Sequence, residues 1–173
     1  IVDMSKAFML MVNLEQPLIL KELAGDTNDI ARGEIIQLSL YENSLSLELK
    51  DLLKVSYLKT GRLFEAAAKS GAMLAHASDI DVKNFGLLGK TLGIAFQIQD
   101  DILDVESSTE QLGKQQGSDR SNGKSTYTSI LGVEAARSQA ADLYQHSMAC
   151  LEPFGERAGS LRSIASFIVN RAY

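Results

Sequence analysis

Between Phe85 and Val105 the apolar residues Phe85, Leu88, Leu92, Ala95, Phe96, Ile98, Ile102 and Leu103 recur at the spacing of one helix face. The same stretch carries Asp100, Asp101 and Asp104. A long helix that is this apolar must be buried among other helices, and it takes its carboxylates with it. Each residue turns about 100° on a helix, so Asp100 and Asp104 lie one turn apart on one face, with Asp101 beside them. Gln97 lies one turn earlier. Three carboxylates on a half-buried face repel one another and raise each other's pKa unless a cation joins them. All-oxygen donors suit Mg²⁺, with Mn²⁺ as the alternative; Mg²⁺ keeps several waters and is held by one or two carboxylates plus substrate phosphates. The competing explanation, a chance acidic string on a solvated helix face, is countered by the flanking apolar residues.

Other segments share the helical period. One helix is expected at about Asp3 to Asn13 and a second from Pro17, which suits a first turn, to Glu42. Gly25 and Gly33 are weak points in the second helix, costing about 1 kcal/mol each against Ala. A third helix, capped by Ser44 or Ser46, runs to about Ala77 and is interrupted at Lys59-Thr60-Gly61. Asp79 or Asp81 caps the aspartate-bearing helix. Gly86, Gly89 and Gly93 on that helix suit a close approach of a neighbour. A short helical turn at Thr126–Leu131 and helices at Glu134–Leu151 and Ser160–Arg171 complete the set. No strand pattern, repeat or linker stands out. Residues 1–173 are expected to form one all-α domain, at roughly 100–200 residues per domain.

Composition excludes several functions. The net charge is −5, the pI about 5.1 and Trp is absent, which argues against nucleic acid as a partner. The longest unbroken apolar run, Ala7 to Val12, is six residues, and a membrane span needs about 20. No secretory signal is visible. A lone Cys150 excludes an internal disulfide framework and a multi-cysteine metal cluster, and fits a reducing, cytoplasmic setting. Cys150 is expected to be a packed small residue, and His76 and His146 to be structural or surface residues.

The period stops from Ser107 to Ser125, a Ser-, Gly- and Lys-rich stretch read as a long loop, either functional or a disordered, solvated connection. From Gln111 to Ile130 three basic residues face one acidic one. Gly123-Lys124-Ser125-Thr126 is not a P-loop: the preceding glycine falls at the wrong spacing and no strand leads into it. Lys114, Lys124 and Lys59 supply point charges for phosphate. With the aspartates they are suited to binding and activating a diphosphate. A di-iron carboxylate bundle is excluded, because neither histidine follows a Glu by three residues.

These motifs together resemble the trans-isoprenyl diphosphate synthases, the polyprenyl synthetase family. Phe96 to Asp104 resembles the family's second aspartate-rich motif, and Leu112-Gly113-Lys114 through Thr126 the loop after it. Lys59-Thr60 is similar to the family's lysine–threonine pair, and Gly33-Glu34-Ile35-Ile36-Gln37 to its upstream helix motif. The resemblance implies a bundle of long antiparallel helices around a central cavity. It implies Mg²⁺-dependent 1′-4 condensation of isopentenyl diphosphate with an allylic diphosphate, by a homodimer. Carried over, Asp100 is the main metal ligand, with Asp101 and Asp104 acting directly or through water. Lys59 and Lys114 contact the allylic diphosphate, Thr60 and Gln97 lie beside them, and Lys124 is a further candidate.

Two departures qualify this. The first aspartate-rich motif is absent, since Asp26-Thr27-Asn28-Asp29 does not match it. The chain therefore resembles only the C-terminal half to two-thirds of a synthase, lacks the N-terminal part, and is expected not to catalyse elongation alone. The two halves also point to different relatives: Gly33 to Leu38 and Arg62 to Ala67 to the long-chain enzymes, and Gly117 to Leu131 with the last helix to the farnesyl type. A non-catalytic partner subunit of a heteromeric synthase and a terpene cyclase of the same fold are the alternatives.

Overall fold

The computed structural model describes residues 2–13, 15–42, 48–106 and 125–171. Every regular element among them is helical. Helix α1 is Val2–Asn13 and α2 is Pro17–Glu42, which starts on its proline as expected. Helix α3, Leu49–Ser56, runs through a wide π-type turn, Tyr57–Gly61, into α4, Arg62–Leu74. The long α5 is Asp79–Glu106. A short α6, Tyr127–Leu131, leads into α7, Val133–Leu151. A 3₁₀ segment, Glu152–Ala158, then leads into α8, Gly159–Asn170.

Two local expectations are corrected. The third helix begins only at Leu49, where the Glu48 amide donates to Asp51 Oδ2 at 3.3 Å; Ser44 and Ser46 lie outside the described residues. Ser78 caps α5 in place of Asp79 or Asp81. Its Oγ accepts from the Asp81 amide at 3.2 Å and donates to the Asp81 carboxylate at 2.8 Å, which gives an orphan N–H its partner. The expected interruption at Lys59-Thr60-Gly61 is present, as a change of helix type. The residues flanking the turn keep right-handed helical torsions, and the turn is widened by one residue.

Helix α5 is the axis of the bundle. It lies antiparallel between α4 and α7, because Gly93 meets Gly61 and Gly86 meets Lys69 on one side, while Ile102 to Ile94 meet Ala136 and Ala140 on the other. Toward its N-terminal end, Leu88 and Leu92 pack with Cys150, Leu151, Ala158 and Ala165. Cys150 is buried there as expected, and burial pushes its thiol pKa up. His76 and His146 are exposed.

The α4–α5 contact is made by backbone. A Cβ on Gly89 would lie 2.4 Å from the Phe64 carbonyl oxygen, and one on Gly93 would lie 2.6 Å from Gly61 Cα. The glycine series thus serves close approach, as its spacing predicts. Gly33 does the same between α2 and the wide turn, where a Cβ would lie 2.8 Å from Leu58 Cβ. Gly25 has nothing within 4 Å and is only a weak point of the helix. Gly93→Ala is therefore expected to lower the unfolding free energy by about 1–3 kcal/mol through overpacking. Gly25→Ala should raise it by up to about 1 kcal/mol. Urea unfolding of the two variants checks both signs.

Candidate diphosphate-binding cavity

The wide turn delivers Lys59 to a cavity of about 370 Å³. Glu34, Gln37 and Leu38 of α2 form one wall, Leu52, Val55 and Ser56 of α3 another. Gln97 and Asp101 of α5 close it with Ser125 and Thr126. Three of the expected site residues, Lys59, Gln97 and Asp101, therefore face one space. Thr60 is half-buried and is not part of this wall. Lys114 and Lys124, with the rest of 107–124, lie outside the described residues.

The lysine does not stand alone. Its Nζ lies 2.5 Å from Glu34 Oε2 and donates to Gln37 Oε1 at 2.6 Å. Both partners come from α2, one turn apart, beside the glycine that lets α2 reach the turn. The Gly33-Glu34…Gln37 string marks that helix in sequence but does not say which cation it meets.

The three aspartates have different surroundings. Asp101 is buried. Its Oδ2 accepts from the Tyr127 amide at 2.8 Å and its Oδ1 from Gln97 Nε2 at 3.4 Å. It thereby ties α5 to the start of α6, whose Thr126 Oγ1 accepts from the Ser129 amide. Burial pushes the Tyr127 phenol pKa up. Asp104 is buried too and shares a neighbouring cavity of about 280 Å³ with Asp101, Thr126 and Thr128. Asp100 is half-exposed and ion-paired with Arg171, just past α8. The Arg171 guanidinium also donates to the Phe96 carbonyl oxygen at 3.1 Å and lies 3.9 Å from the centre of the Phe96 ring. Among the described residues no three His, Cys, Asp or Glu side chains converge as a metal-binding group. The shared face that the spacing predicts thus carries carboxylates turned to separate partners. The donors remain all oxygen, which in kind fits a hard dication.

A second charged cluster was not foreseen. Asp26, on the string that does not match the first aspartate-rich motif, is buried against Arg62 of α4. Arg62 Nη2 lies 2.5 Å from Asp26 Oδ1 but without hydrogen-bond geometry, so the attraction is coulombic. Arg62 Nε is 3.1 Å from Asp29. Burial outweighs the nearby guanidinium and pushes the Asp26 pKa up to about 6. Burial among helices is what makes this cluster matter, and an i,i+3 pair of aspartates signals none of it.

Comparison with known proteins identifies the family. A family model described as polyprenyl synthetase matches residues 2–154. The chain belongs to the polyprenyl synthetase family. It is 40% identical over 164 residues to the geranylgeranyl diphosphate synthase of Cyanophora paradoxa, covering 92% of this chain and 54% of that protein. It is 34% identical to the farnesyl diphosphate synthase of Micrococcus luteus, covering 86% and 50%. The polyprenyl synthase of Caulobacter crescentus, solved with calcium and isoprenyl diphosphate, superposes with a TM-score of 0.87 at 29% identity. That match covers 98% of this chain and 63% of that one. The chain thus spans about half the length of these curated polyprenyl synthetase relatives, and the all-α fold expected from the sequence is the fold of its structural neighbours. None of the described helices is long and apolar enough to cross a membrane.

The raised Asp26 pKa has a definite sign. A carboxyl with a higher pKa folded than unfolded favours the fold fully below about pH 3.8, and that contribution is lost as pH rises through about 6. Asp26→Asn should therefore gain stability relative to the native chain between pH 4 and pH 7. Urea unfolding at a series of pH values measures this difference.

Proposed function

We propose that this chain supplies the second aspartate-rich portion of a Mg²⁺-dependent trans-prenyltransferase. The reaction joins isopentenyl diphosphate 1′-4 to an allylic diphosphate, giving a farnesyl or longer polyprenyl diphosphate. The observation that carries this is Lys59 meeting Gln97 and Asp101 across one cavity. The support is the fold shared with a relative solved with calcium and isoprenyl diphosphate.

Asp100, Asp101 and Asp104 would hold Mg²⁺, which when bound supplies positive charge to the leaving diphosphate. Lys59 and Lys114 neutralise the diphosphate as the allylic C–O bond breaks, with Thr60, Gln97 and Lys124 around it. Electrons of the isopentenyl double bond then form the new C–C bond, and loss of a proton restores the alkene. Lys59 would leave Glu34 and Gln37 to meet the diphosphate, and Asp100 would exchange Arg171 for the cation. Glu34 is half-exposed and returns to water, and the Arg171 guanidinium keeps the Phe96 carbonyl oxygen as a partner. The enzyme acts as a homodimer. Exposed Met9, Leu10 and Val12 of α1 offer apolar surface for that association.

In a prenyl-transfer assay of the complete gene product, Lys59→Ala and Asp100→Ala should each lower kcat/KM by roughly 100-fold or more. The 173-residue chain alone should show no elongation. Full activity in both variants would move the chain to the non-catalytic subunit.

A further inference from the structure

The wide turn is gripped from outside the cavity. Its first residue, Tyr57, donates its phenol proton to Glu65 Oε2 at 2.7 Å and accepts from Arg62 Nη1 at 3.2 Å. Its ring lies over Gly61, where a Cβ would meet it at 2.9 Å. Lys90 of α5 caps the ring at 4.8 Å from its centre. Arg62, the first residue after the turn, reaches across to Asp26 and Asp29 of α2. So both ends of the five-residue turn that carries Lys59 are bound into one network. The same α2 that receives Arg62 presents Glu34 and Gln37 to Lys59.

The extra residue explains why two faces serve two purposes. In a regular α-helix, residues three apart stand on nearly the same face. A π-type turn has more residues per revolution and swings them apart. Lys59 then points into the cavity while Arg62 points at the buried carboxylate of Asp26. A π-type turn is a rare departure from the α-helix, found mostly as single turns, frequently at functional sites. The Arg62–Tyr57–Glu65 network is placed to hold it.

We infer that Arg62, with Tyr57, is a positioning residue that holds the wide turn open and so aims Lys59 at the diphosphate. Neither residue lines the cavity. This rests on the assignment of Lys59 to the diphosphate under the proposed function.

The test is a double-mutant cycle read by calorimetric binding of inorganic pyrophosphate, with Mg²⁺, to the complete gene product. Lys59→Ala should weaken binding by about tenfold. Arg62→Gln and Tyr57→Phe should each weaken it several-fold when Lys59 is present and change nothing in the Lys59→Ala background. Circular dichroism should show unchanged helix content in the variants compared. Arg62→Gln leaves Asp26 unpaired and buried; if it fails to fold, Tyr57→Phe, which keeps both ion pairs to α2, decides the matter alone. Equal weakening in both backgrounds, or none in either, overturns the positioning role while Lys59 keeps its own. If Lys59→Ala itself leaves the affinity unchanged, the assignment of Lys59 falls and this inference falls with it.

Discussion

Backbone contact between Gly61 and Gly93 is the constraint on which the cavity depends. It seats the end of the wide turn on α5 with no side chain between them. Because α4 and α5 run antiparallel from that point, the contact brings Lys59 toward the turn of α5 that carries Gln97 and Asp101. A methyl group at Gly93 or Gly89 would push α4 outward, and closely packed interiors do not absorb such shifts smoothly. The distance between the lysine and the carboxylates is therefore set by two glycines that touch neither.

Electrostatics then divides the site into neutralised pairs. Lys59 is held by Glu34 and Gln37, Asp100 by Arg171, and Asp101 by the Tyr127 amide. Each of these three charges has a partner within reach, as low local dielectric requires. A diphosphate with its cation brings both signs of charge at once. It can satisfy lysine and aspartate together, which a lone anion or a lone cation cannot. The Asp101–Tyr127 bond adds a mechanical consequence. Asp101 holds the start of α6, so the carboxylate region of α5 and α6 are joined.

Much of the fold is legible in the residues. The period of Leu88, Leu92, Ile98 and Ile102 shows α5 directly, and Pro17 marks the start of α2. The widened turn at Lys59-Thr60-Gly61 reads as an interruption, because glycine within an apolar helix signals a departure but not its type. Ser78 is a weaker sequence signal than the neighbouring aspartates, yet its hydroxyl is the one at cap position. At the site, Lys59, Gln97 and Asp101 line one cavity. Arg62, Asp26, Glu34 and Gln37 were not assigned roles, since charges on helix faces look alike until their neighbours are known.

The sequence by itself determined which segments are helical, which of their faces are apolar, and that three carboxylates ride on the most deeply packed helix. These follow from local periodicity, which each helix carries within its own residues. Only the tertiary structure decided that Asp100 meets Arg171, that Asp101 binds the Tyr127 amide, and that Asp26 and Asp29 face Arg62. Those pairings join residues 26 to 71 positions apart or different helices altogether. They are set by how closely the helices approach, and that approach is governed by glycine contacts whose partners no local pattern names.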